Sequence, residues 1–253
     1  MLVANSYVIE LLLAIDGFSQ LLYTLQGDIQ QIPYEDSLCL FRGYALYVLS
    51  TVHNYSFFLQ ALYRYLIVVH PNRLRFQSFR FQFFLICVAW IVAFIYPLEF
   101  FLRHEVKYDI NSQACLLILQ VTFSVIYMAL CSYTFANTLT VLIYFTLVYH
   151  LKQMRKHITP ANSLARAQKE LNMIRRIIIL VLILFTFGIP YMVVFLFIVF
   201  DHKIQHDLRI ASIFMDSSIV ITTIILIYFT EPLKTSIMKR IKRRTNMVVA
   251  RVA

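Results

Sequence analysis

Six long apolar stretches dominate the chain, at about residues 3–25, 38–70, 80–102, 117–150, 168–201 and 207–230. A helix crosses the ~30 Å hydrocarbon layer of a bilayer with about 20 mostly apolar residues, so each stretch is long enough to span. The first is the weakest, because Glu10, Asp16 and Gln20 interrupt it. The second, fourth and fifth reach about 45–50 Å at the helical rise, which predicts that they tilt or project into the cytoplasm. The rest of the composition agrees. Of 253 residues, 60% are hydrophobic and only 14% charged, against roughly a quarter charged in a soluble domain. A water-soluble enzyme is excluded on that ground. The aromatic and aliphatic load excludes disorder, and 4 Gly with 4 Cys exclude a collagen-like or disulfide-scaffold chain. Outer-membrane strand alternation, internal repeats and low-complexity tracts do not occur. Residues 1–14 lack the basic start of a signal peptide and run on as a span. The expected class is a membrane protein.

Lys and Arg orient it. The segment from Arg64 to Arg80 holds Arg64, Arg73, Arg75 and Arg80. That from Tyr149 to Arg176 holds Lys152, Arg155, Lys156, Arg166, Lys169, Arg175 and Arg176. Seven more follow Pro232, so that 18 of the 23 basic residues fall on one side of a six-span arrangement. That side is expected to be cytoplasmic, with both chain ends on it. The net charge of +10 therefore reads as membrane topology, and no nucleic-acid partner is expected.

Cys39 stands at the outer start of the second stretch and Arg64 at its inner end, 25 residues away, or about 37 Å along a helix. Cys115 lies in the next outer loop. Both thiols thus face the oxidising compartment, where a disulfide persists; a bridge is expected, two free thiols being the alternative. Cys87 and Cys131 fall within spans and read as small buried apolar residues.

Taken together, these landmarks resemble a rhodopsin-like (class A) G-protein-coupled receptor. That family has a Cys at the top of its third helix, Arg-Tyr 25 residues on, and a Pro in the following loop; here stand Cys39, Arg64-Tyr65 and Pro71. Trp90 matches the fourth-helix Trp, and Cys115 the outer-loop Cys. Tyr144 fits the inner Tyr of helix five, Pro190 the sixth-helix Pro, Glu170 the acid twenty residues before it, and Tyr228 the inner Tyr of helix seven. Aligned in this way, the six spans are helices two to seven of a seven-helix bundle, with helix one missing and Met1 near the inner end of helix two. The expected fold is all-α: six transmembrane helices in one receptor-like domain over 1–253, then a basic tail over 233–253. In that tail Leu233, Ile237, Met238 and Ile241 share one face and Lys and Arg the other, as in a short amphipathic helix on anionic lipid.

The resemblance implies a plasma-membrane receptor that senses an extracellular ligand and activates a heterotrimeric G protein. It implies that Arg64 and Glu170 pair at the inner ends of two helices at rest, and that Tyr65, Tyr144 and Tyr228 belong to the same inner switch. Pro190 removes one backbone hydrogen bond and is expected to kink its helix. Several positions depart from the family. Tyr63 replaces the acid before the Arg, Gly188 the sixth-helix Trp, Ile224-Ile225 the seventh-helix Asn-Pro, and Ala136 the common fifth-helix Pro. The family's sodium pocket is in question as well, since Glu10 stands at its acid position without the usual Asn partner.

Leu46 occupies the place of the Asp that receptors for amines carry, which disfavours an amine ligand and leaves its identity open, a peptide included. Tyr47 and Ser50, with Tyr133 and Tyr191, are the candidate lining of the outer pocket, helix packing being the alternative for each Tyr. Asp216 lies 12 residues before Tyr228, about 18 Å above it. A buried acid there needs a cation, a hydroxyl or water, so it joins the ligand-site candidates. Asp16 and His53 are expected to bond within the bundle. The Asn54-Tyr55-Ser56 sequon is mid-span, out of reach of glycosylation. Neither a His/Cys/Asp cluster with metal-ligand spacing nor a phosphate loop or nucleophile motif occurs, so no catalysis, metal or cofactor is expected. Two rivals stand beside the receptor: a transporter or channel, which would show paired intramembrane charges or broken-helix repeats, and a non-signalling fragment that pairs with intact receptors.

Overall fold

The computed structural model describes residues 1–30, 38–70, 76, 78–109, 114–117 and 122–157, together with 189, 193, 197, 213, 214, 217, 218 and 220–224. In chain order these form α1 (Leu2–Gln30), α2 (Cys39–Val69), α3 (Phe79–Ile95), α4 (Leu98–Leu102), strands β1 (Val106–Asp109) and β2 (Ala114–Leu117), and α5 (Phe123–Met128). A π-helical segment, Ala129–Thr134, then leads into α6 (Phe135–His157). Among the described residues, three runs are long and apolar enough to cross a membrane: Leu2–Gly27, Phe79–Leu102 and Phe123–His150. The predicted fifth and sixth spans lie largely outside the described residues.

Each of these runs turns its apolar surface outward. On α1, Leu11, Ile15, Phe18, Leu22, Leu25 and Ile29 are exposed, at helical spacing, while Ser6, Ile9, Glu10 and Leu13 are buried. Lipid tails are as apolar as leucine, so association between spans rests on close packing and polar contacts rather than on hydrophobic burial. Consistent with this, α3 meets its neighbours through small residues one turn apart, Ala89 and Ala93, and Ala93 packs with Ile9, Leu13, Val48 and Val52.

At the centre lies α2, which contacts α1, α3, α4, α6, the π-helical segment and both strands. It is buried from Thr51 to His53 and again at Ser56, Phe57 and Leu59 to Ala61. Polar side chains such as His53, Asn54 and Gln60 run through its middle because it faces protein there on most sides.

Two departures from the sequence reading concern the outer loop. The fold is mostly helical but not all-α: β1 and β2 pair antiparallel, Val106 opposite Leu117 and Tyr108 opposite Cys115. A loop held close against a helix must satisfy its backbone groups, and pairing does so. The apolar run that starts near 117 is accordingly a strand first, and its helix begins only at Phe123, where the Thr122 hydroxyl caps it by accepting from Val125 N–H at 3.4 Å. The stretch at 80–102 likewise divides at Tyr96-Pro97, where proline lacks the N–H a continuous helix needs.

Candidate functional site

The functional candidates lie along α2 at three levels. At its first residue, Cys39 is bonded to Cys115, with their Cα atoms 5.3 Å apart; we call this the outer end. One turn further in, Gly43 lets the hairpin lie directly on the helix. A β-carbon there would stand 2.6 Å from Val106 Cγ1 and 3.0 Å from the Cys115 carbonyl oxygen. Tyr47, another turn in, accepts a hydrogen bond from Leu117 N–H at 2.9 Å through its hydroxyl, and its ring meets Phe100 edge-on at 5.8 Å. Around it Tyr96, Phe100, Val106, Leu117, Val125 and Met128 form one apolar cluster. Tyr47, read from the sequence as a pocket residue, is thus joined to the hairpin floor. Ser50 is half-buried on α2, and Tyr133 is half-buried in the π-helical segment. Tyr191 and Asp216 lie outside the described residues.

A shallow groove of about 300 Å³ runs between the outer halves of α1 and α2, lined by Leu12, Ile15, Asp16, Ser19, Phe41 and Arg42 among others. Gln20 donates to Asp16 at 2.9 Å, one turn along the same helix. The Arg42 guanidinium lies 4.4 Å from the centre of the Tyr23 ring, within range of a cation–π attraction.

The middle level is polar and buried. His53 Nδ1 lies 3.2 Å from Glu10 Oε1, and the Thr223 hydroxyl donates to Glu10 Oε2 at 3.3 Å. Among the described residues Oε1 accepts no aligned hydrogen bond, so the imidazole and the carboxylate stand in close contact without one. Phe57 packs edge-to-face on the imidazole with centroids 4.9 Å apart. Just inward, Gln60 donates to the Ser6 hydroxyl at 2.6 Å, and Ser6 in turn donates to Ser56 at 3.2 Å. Trp90 donates to Asn5 at 3.1 Å, which ties α3 to α1.

Opposite this level the π-helical segment presents loosened carbonyls to α2. Asn54 donates to the Ser132 carbonyl at 3.1 Å and Tyr55 to that of Cys131 at 3.3 Å, while the Thr51 and Ser132 hydroxyls are 3.0 Å apart. π-bulges sit often at functional positions, and this one lies just before Ala136, where the family commonly has its proline. No sequence signal marks it, since Ala136 without a proline reads as ordinary helix. Nothing in the sequence paired Glu10 with His53, 43 residues apart.

At the inner level, Tyr144 of α6 is buried and packs with Ala61 of α2 and with Leu147. Arg64, one turn beyond Ala61, lies within electrostatic reach of the Tyr144 hydroxyl. Arg64 and Tyr65 themselves are half-exposed. Two residues from widely separated stretches thus lie near one another here, Tyr144 on Ala61 and Arg64 one turn along. Glu170, Pro190 and Tyr228 lie outside the described residues. Among the described residues, no group of three or more His, Cys, Asp or Glu is placed to hold a metal ion.

Residues 3–230 match the family model described as 7 transmembrane receptor (rhodopsin family). The chain belongs to the rhodopsin family of seven-transmembrane receptors. No curated protein matches it. Membership makes it a membrane protein of receptor type rather than of an enzyme family, and the Cys39–Cys115 bridge stands where the family has its own.

Proposed function

We propose that this receptor resides in the plasma membrane as a multi-pass protein, senses a non-amine extracellular ligand, and activates a heterotrimeric G protein. One observation supports the reading: Tyr144 packs on Ala61, one turn from Arg64, at the end of α2 opposite the disulfide. Ligand and G protein would act on the two ends of one helix. On the outer side Ser50, Tyr133, Tyr191 and Asp216 contribute to the ligand cavity, and Tyr47 ties its wall to the hairpin. On the inner side Arg64 pairs with Glu170 at rest; release of that pair, with Tyr65, Tyr144 and Tyr228 rearranged around it, makes room for the G protein. Ligand then acts by shifting the population between two helix arrangements. The basic tail over 233–253 lies along the anionic inner leaflet.

Ligand-free signalling of the full chain tests this. A tie of about 1 kcal/mol corresponds to roughly a five-fold change in the two-state ratio. Glu170→Ala is expected to raise basal output by about that factor and Arg64→Ala to lower it. Unchanged basal output in both variants, at normal surface levels, would count decisively against an inner switch.

A further inference from the structure

The family resemblance carries an expectation of a sodium ion at the midplane acid, which in this chain is Glu10. Its surroundings do not suit such an ion. Hard cations are held by several oxygen ligands at short range, and a buried carboxylate oxygen without an aligned donor, such as Glu10 Oε1, is where one would be sought. The atom facing Oε1 is not an oxygen but His53 Nδ1, at 3.2 Å, a separation that leaves no room for an ion between the two. The ring is fixed there by its edge-to-face packing on Phe57. The second carboxylate oxygen already accepts from Thr223.

The hydroxyls of Ser6 and Ser56 are engaged as well. Ser56 donates to the His53 carbonyl at 2.8 Å, and Ser6 lies between Gln60, Ser56 and the Leu2 carbonyl. An ion entering this site would have to displace an imidazole and dismantle a hydrogen-bonded seam joining α1 to α2. We infer that in this receptor His53 occupies the space a cation would need: the chain's own imidazole stands against the midplane carboxylate, and the receptor is indifferent to sodium.

The full chain, purified in detergent, tests this by thermal unfolding followed through fluorescence of Trp90, the sole tryptophan. Its indole bonds across α1 and α3 and so reports on this region. Melting is compared in sodium chloride and in choline chloride at equal ionic strength. Equal melting temperatures are expected. A saturable sodium-specific rise of roughly 2–4 °C, the size of a 1 kcal/mol ligand effect in a chain of this length, overturns the inference. His53→Ser exchanges the ring for an oxygen donor and is expected to gain such a rise; a folded His53→Ser chain that stays indifferent also overturns it. Should that variant fail to fold, His53→Asn serves the same comparison. No arm reads signalling, so the result is separable from the proposed G-protein function.

Discussion

The two ends of α2 are built differently. Its outer end is bound by a disulfide, by a hairpin lying on Gly43 and by the Tyr47 hydroxyl on the hairpin backbone. Its inner end, among the described residues, is held by noncovalent packing of Ala61 and Val68 with Tyr144, Leu147, Ile143 and Val148, and Arg64 and Tyr65 stay half-exposed. One helix thus has a covalently fixed head and a noncovalently packed foot. For a receptor of the proposed kind the difference matters: the noncovalent end is the one that can rearrange without breaking a bond. Stability is not uniform in a protein, and moving elements come from its less stable parts.

The largest test of this contrast removes the covalent tie. Cys39→Ser is expected to cost about 2–5 kcal/mol, read as a lower melting temperature and reduced surface expression; an unaltered melting temperature would erase the distinction between the ends. Gly43→Ala comes next. The added β-carbon drives into Val106 and the Cys115 carbonyl, and overpacking of this kind costs about 1–3 kcal/mol. Thermal unfolding should show it with the disulfide still formed. Asn54→Ala, at the middle level, removes a donor to the Ser132 carbonyl, with a loss of about 1 kcal/mol in the same assay. Smallest is Tyr144→Phe at the inner end. That hydroxyl is buried and has no hydrogen-bond partner among the described residues, so its removal should change stability by less than about 0.5 kcal/mol while altering basal signalling. A large loss of stability in this variant would show the foot to be as firmly held as the head.

The long-range frame was legible in the sequence because it rests on few residues with fixed spacing. Helical rise alone puts Cys39 and Arg64 at opposite membrane faces, and the observed limits of α2, Cys39–Val69, follow the predicted 38–70 closely. The hairpin was not legible, since two four-residue strands are too short to show a period and β2 runs into an apolar segment that reads as helix. The π-helical segment escaped because wide and ordinary helical turns share the same residue types. Glu10 could be seen to need a partner, but naming His53 requires knowing how α1 is rotated against α2. Tyr47 shows the same limit in another form: spacing placed it on the inward side of α2, yet only the fold reveals that its hydroxyl bonds to Leu117.

The widened turn at Ala129–Thr134 also has a consequence for everything that follows it. One surplus residue advances a helix by about 100°, so the whole lower half of the fifth-helix rod is clocked relative to its upper half. Tyr144 meets Ala61 in that clocking. The outer segment thereby sets the azimuth of the inner one, and relaxing the bulge to a regular helix would turn Tyr144 off Ala61, so that a change made near the outer side is felt at the cytoplasmic end.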